Sequence, residues 1–182
     1  SSLALKGTYQ NQIEDLAVAG ETIYLLGSFE NQLDLSTKSL TTPKNSSFVL
    51  ALKKGLAEDW SIAFPSQSEP LGIEIDAYGY PIVLNRFSGN FVMDEASLNL
   101  ASKGSGDLIM TKLNQDDGTV LWSKQMGGTG DENSSGFKTD RYGRVFTLIA
   151  TDGIFLIDGF SSDGAKLLIA TIESRETPSF AA

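Results

Sequence analysis

The sequence predicts an all-β chain of about three four-stranded antiparallel units lying side by side, and internal self-similarity is the first observation behind that prediction. The segment Ile73-Glu74-Ile75-Asp76-Ala77-Tyr78-Gly79-Tyr80-Pro81-Ile82-Val83-Leu84 returns 64 residues later as Phe137-Lys138-Thr139-Asp140-Arg141-Tyr142-Gly143-Arg144-Val145-Phe146-Thr147-Leu148. The second observation is that runs such as 23–26, 48–52, 108–110 and 154–157 are short, β-branched or aromatic, and bounded by Gly, Asp, Asn and Ser. The third is that several of these runs are apolar at successive positions instead of alternating, which requires both faces of the strand to be covered. No apolar set recurs at helical spacing over a sustained window, and Gly or Pro interrupts most candidates.

Taken in chain order, the units share more than one block. Phe48-Val49-Leu50-Ala51-Leu52, a turn at Gly55 and Trp60-Ser61 match Leu108-Ile109-Met110-Thr111-Lys112-Leu113, a turn at Gly118 and Trp122-Ser123, with the tryptophans 62 residues apart. A more divergent copy opens the chain as Leu16-Ala17-Val18-Ala19-Gly20 and then Thr22-Ile23-Tyr24-Leu25-Leu26-Gly27-Ser28-Phe29, placing Ile23 59 residues ahead of Ile82. Four short strands per unit, with the inner strands buried on two sides, is what a radial stack of twisted sheets requires, so a partial β-propeller is expected. In Asp-x-Tyr-Gly the Asp carboxylate should cap a tight turn, Gly supply positive φ and Tyr pack over the corner. Trp60 and Trp122, at one phase of the unit, should lock each blade against the next. The reading gives one domain over 1–173, with approximate repeats 1–59, 60–121 and 122–173, and a tail at 174–182.

By phase, Leu3-Ala4-Leu5-Lys6-Gly7 falls where Trp60-Ser61-Ile62-Ala63-Phe64 and Trp122-Ser123-Lys124-Gln125-Met126 fall later, as the last strand of a unit. The C-terminal run 167–172 is the third strand of another, which allows strand exchange between the two ends. About three blades are fewer than the usual minimum of four. Since Ser1 is not a natural initiator, the chain is expected to be a slice of a longer propeller; an oligomeric ring and an open stack capped by a partner are the other solutions.

Residues 27–35, 107–132 and 137–148 resemble the bacterial β-propeller repeats of the SBBP type, and more loosely the tryptophan-bearing PQQ-like repeats. The likeness runs from 3 to 173, is best in the middle unit, and finds the last unit shortened between Asp152 and Asp163. It implies a module of a secreted or surface-associated bacterial protein, extracellular, on the cell surface or in the periplasm. Quinoprotein dehydrogenases share this grammar but use a complete ring of blades, often with a vicinal disulfide, and this chain has no Cys.

Composition narrows function. Of 182 residues, 14 are Lys or Arg and 23 Asp or Glu, giving a net charge of −9, and there is neither His nor Cys. Every Ser-His-Asp, Cys-His, zinc or haem scheme lacks its imidazole or thiolate. A negative chain with no basic run is repelled by phosphate backbones and anionic headgroups, so nucleic acid is not an expected partner, and no apolar stretch approaches the roughly 20 residues of a membrane span.

The remaining candidates have plainer readings. Gly127-Gly128-Thr129-Gly130-Asp131-Glu132-Asn133 is similar to a calcium nonapeptide, but it occurs once with its acid a place early, which favours a loop. Asn114-Gln115-Asp116-Asp117-Gly118 reads as hairpin chemistry. Glu14 with Asp15, and Glu58 with Asp59, are adjacent on strands and should diverge. None of the lysines, Lys112 included, sits in a run suggesting burial, so all are expected to be solvated. No catalytic, cofactor or metal residue is assigned. The expected function is a non-catalytic scaffold or protein-interaction module whose partner is another protein or further blades, homo-oligomers included. The alternative is a carbohydrate-binding module using Tyr9, Tyr80, Phe87, Phe91 or Phe160.

Overall fold

The computed structural model describes residues 4–7, 10–157, 160–162 and 166–173. It is all-β, with strands joined by turns and two single-turn 3-10 segments, Lys54–Leu56 and Asp94–Ala96. The first sheet is an antiparallel meander of β2 (Asn11–Ala19), β3 (Thr22–Asp34), β4 (Ser39–Lys53) and β5 (Ala57–Ala63), with β1 (Lys6–Gly7) on the far end of β3. The second is the same meander in β6 (Ser68–Ile75), β7 (Pro81–Phe87), β10 (Asp107–Leu113) and β11 (Val120–Met126). The third holds β12 (Asn133–Thr139), β13 (Arg144–Thr151) and β16 (Lys166–Glu173). Two hairpins, β8 (Asn90–Met93) with β9 (Leu98–Ala101) and β14 (Phe155–Ile157) with β15 (Phe160–Ser162), leave the second sheet between β7 and β10 and the third between β13 and β16. No sheet closes on itself. Among the described residues no helix is long and apolar enough to cross a membrane. The tail at 174–182 lies outside the described residues.

The successive apolar positions have the expected cause. Ile82, Leu84, Leu108 and Met110 point from the second sheet to the third, meeting Phe137, Val145, Ile149 and Ile172; Val83, Ile109 and Leu113 point the other way, meeting Tyr24, Leu26, Val49 and Ala51 of the first. Each such side chain contributes about 1.5–3 kcal/mol by leaving water. The hairpins lean onto the junction before them: Phe91 packs 5.1 Å from Phe87 and 6.3 Å from Phe64, and Phe155 joins the cluster holding Met126. The far half of the β3–β4 hairpin does likewise, its Leu33 and Leu40 packing with Leu5 on the outer side of the first sheet.

The two Asp-x-Tyr-Gly turns are built alike. Asp76 N donates to Tyr80 O and Gly79 N to Asp76 O, while Asp76 Oδ1 accepts from Tyr78 N (2.8 Å) and Tyr80 N (3.0 Å). Asp140 N donates to Arg144 O and Gly143 N to Asp140 O, and Asp140 Oδ1 accepts from Tyr142 N (2.9 Å) and Arg144 N (3.0 Å). Gly79 (φ 90°) and Gly143 (φ 80°) supply the left-handed residue. The tyrosines stay 42% and 56% exposed, serving as platforms for Lys112 over Tyr78 and for Arg141 and Arg144 over Tyr142 instead of sealing the corner.

Two further expectations need revising. Pairing places Leu26 opposite Val49 and Leu84 opposite Met110, and both pairs face the following sheet, so Tyr24 and not Ile23 holds the place of Ile82. A one-residue shift in a strand exchanges its faces, which is why Ile23 packs on the outer side. Lys112, expected in solvent, is buried: its Nζ lies 2.7 Å from Asp76 Oδ2 and 4.5 Å from the centre of the Tyr80 ring.

Leu84→Ala should cost about 2–5 kcal/mol in urea unfolding, whereas Leu148→Ala, one unit later and 44% exposed, should cost under about 1 kcal/mol. Asp76→Ala should cost about 3–5 kcal/mol because it strands the Lys112 charge, and Asp140→Ala distinctly less, its Arg144 partner being half in water.

Candidate functional site

The two acidic pairs Glu14–Asp15 and Glu58–Asp59 diverge, as adjacent residues on a strand should. Both adjacent pairs sit at β-bulges. Asp15 Oδ2 accepts from Ile73 N across to the second sheet (3.0 Å), while Glu14 is exposed. Glu58 accepts from Ser36 N and Thr37 N, and Asp59 pairs with Lys53 at 3.1 Å. Asp15, Glu58 and Asp59 are each committed to holding backbone or a neighbouring lysine, and neither pair converges on a common point.

The 127–133 segment is the loop that joins the second and third sheets. Gly127 N and Thr129 N donate to Leu156 O and Ile154 O, Asp131 pairs with Arg86, and the fully buried Glu132 accepts from Thr151 Oγ1 (2.8 Å) and Gly128 N (3.2 Å). Burial pushes the Glu132 carboxyl above the usual carboxylate range, reinforced by the charges of Asp107 and Asp131 and opposed by the bonds from Thr151 and Gly128. Asn114-Gln115-Asp116-Asp117-Gly118 is a hairpin turn, closed by Asn114 N to Thr119 O and Gly118 N to Asn114 O and trimmed by Asp116 N on Asn114 Oδ1. No three Asp or Glu groups cluster in a metal-holding arrangement among the described residues.

The tryptophans lie where neighbouring sheets meet. Trp60 Nε1 donates to Gln115 O of the second sheet's turn at 3.0 Å, and its ring lies flat enough on Gly118 that a Cβ there would collide with it. Trp122 is 7% exposed in the cluster between the second and third sheets. The aromatics proposed for sugar stacking are otherwise engaged: Phe87 and Phe91 are each 1% exposed, and Tyr80 carries Lys112 on its face. Tyr9 and the Phe160 side chain lie outside the described residues.

Among the described residues, two apolar faces stand open. On the third sheet, alternation along β13 and β16 turns Val145 and Ile149 inward and Leu148 and Ile169 outward, 44% and 73% exposed and directly paired. With Phe137 and Phe146 they line a groove of about 400 Å³, rimmed by Asp15 and the Glu74–Lys138 ion pair. On the first sheet, Ile13, Leu16 and Val18 of β2 are 44%, 57% and 56% exposed. Ile13 and Leu16 border a groove of about 520 Å³ with Leu5, Leu25, Leu52 and Leu56. A third cleft, of about 550 Å³, is polar, and its Arg86 is already held by Glu69, Asp131 and the carbonyl of Glu132.

These faces escaped sequence reading because Leu16 and Leu148 look like any core residue of their runs; only sheet order tells which face has no neighbour. Lys112 had a legible signal, since it sits inside the apolar run 108–113, opposite the strand that follows the Asp76 turn.

Because the folded chain holds the Glu132 proton more tightly than the unfolded chain, stability is fullest below the ordinary glutamate range. It falls as pH rises to the raised folded value, and above that value the loss is complete. In urea titrations between about pH 4 and pH 8, Glu132→Gln should gain on the wild type as pH rises, its oxygen accepting from Gly128 N and its NH2 donating to Thr151 Oγ1 without the buried charge; parallel curves would contradict this.

No protein-family model matches the chain, and no curated protein matches it in sequence.

Proposed function

We propose that the chain is a non-catalytic, propeller-type scaffold or protein-interaction module of a larger secreted or surface-associated bacterial protein or assembly. The observation that carries this reading is a second sheet enclosed on both faces while the first and third each leave an apolar face open. Apolar faces rimmed by charge are the ordinary material of protein interfaces. The repeated four-strand meander, the lean of each hairpin onto the preceding junction and the tryptophan at a sheet boundary support a blade-like stack, in keeping with the resemblance to SBBP-type repeats. Engagement of Asp15, Glu58, Asp59, Asp76, Asp131 and Asp140 in turns, bulges and ion pairs weighs against an acid-catalysed hydrolase. Burial of Phe87 and Phe91 weighs against the carbohydrate-binding alternative.

The purified chain should turn over none of a panel of glycoside, ester, peptide and phosphoester substrates. It should bind an apolar dye such as anilinonaphthalene sulfonate, with fluorescence falling in Leu16→Glu/Leu148→Glu. Turnover abolished by one substitution, such as Asp107→Asn, would overturn the reading.

A further inference from the structure

We propose that the two open faces bind each other: the outer face of the third sheet of one copy seats on the outer face of the first sheet of a second copy, head to tail. This docking presupposes the stack of like sheets proposed above. The molecule closes the same kind of junction twice internally, and both halves of it recur, unfilled, at the ends. On the side facing a following sheet, Leu84 and Met110 are paired and fully buried, as are Leu26 and Val49. The pair at that place in the third sheet is Leu148 and Ile169, exposed. On the side facing a preceding sheet, the inner strands present Ile73 (paired with Val83) and Phe137 (paired with Thr147), 2% and 6% exposed. The residue at that place in the first sheet is Leu16, paired with Leu25 and 57% exposed. A stack that ended at these sheets by design would carry polar outer faces.

A further contact identifies what the first sheet expects beside it. The segment that leaves β11 pairs antiparallel with β14 of the next sheet, through Gly127 N to Leu156 O and Thr129 N to Ile154 O. β1 pairs in the same sense with the far end of β3, Lys6 opposite Asp34 and Gly7 opposite Leu33, and Leu5 joins the groove there. The first sheet thus already holds a segment shaped like the exit from a preceding sheet. Every copy carries one face of each kind, and the two kinds differ, so the contact is heterologous, building rings or chains and not two-fold dimers. With each copy at −9, repulsion opposes the contact, and added salt should strengthen it.

Sedimentation of the full chain from about 1 to 100 µM should show mass rising with concentration. Leu16→Glu alone and Leu148→Glu alone should each weaken association about 100-fold or more, because each buries an unpaired carboxylate. Mixed in equal amounts, the two variants should form a 1:1 dimer and nothing larger, since each supplies the face the other has lost. Val18→Glu and Ile169→Glu repeat the test at independent exposed positions if either variant misfolds. A wild type that stays monomeric, association that survives either variant, or a mixture that fails to dimerise would overturn self-docking. Those outcomes leave the scaffold reading standing, because that reading falls only to substrate turnover.

Discussion

The second sheet has no face of its own to give to water, and the rest of the molecule is arranged around that. β7 and β10 place apolar side chains at consecutive positions, a pattern no sheet with one wet side tolerates, and the first and third sheets supply the cover on either side. A lone four-stranded meander of this composition would expose both rows. Stability therefore belongs to the junctions more than to any single sheet, and a junction is the unit that the fold repeats.

Polar chemistry in the molecule serves those junctions. The inner strands β2, β6 and β12 are cross-tied by Asp15 on Ile73 N, by Lys138 on Glu74 and by Thr139 Oγ1 on Ile75 O. Glu132 pins the loop between the second and third sheets, and Asp76 and Asp140 fix the turns that aim β7 and β13. An acidic chain in which so many carboxylates accept backbone N–H groups is using them as staples. The same accounting explains why Asp15, Glu58 and Asp59, conspicuous as acidic neighbours in the sequence, are tied to backbone or to Lys53.

Local chemistry was legible in the sequence and spatial order was not. The Asp-x-Tyr-Gly turns, the hairpin at 114–118 and the two-sided burial of 82–84 and 108–110 follow from residue type and spacing alone, and the structure has each of them. The first unit's phase differs by one residue from the sequence match, because Ile23, Tyr24, Leu25 and Leu26 are apolar throughout and give no marker of which face is which. The run 108–113 marks Lys112 for burial, but its partner Asp76, 36 residues earlier, is brought to it only by the sheet. Phe87 and Phe91 read as loop aromatics, yet Phe87 ends β7 on the face turned to the first sheet and the β8–β9 hairpin folds Phe91 down beside it. Openness of the end faces is a property of what stands beside a strand, and no single strand encodes it.

If the enclosed second sheet is the keystone, native-state hydrogen exchange should reveal it most directly. Amides of β7 and β10 should exchange only through global unfolding, with the highest protection in the chain, while those of β2 and β16 exchange through smaller openings. Protection in β7 and β10 no greater than in β2 would contradict the account, since it would mean that the middle sheet is not held from both sides.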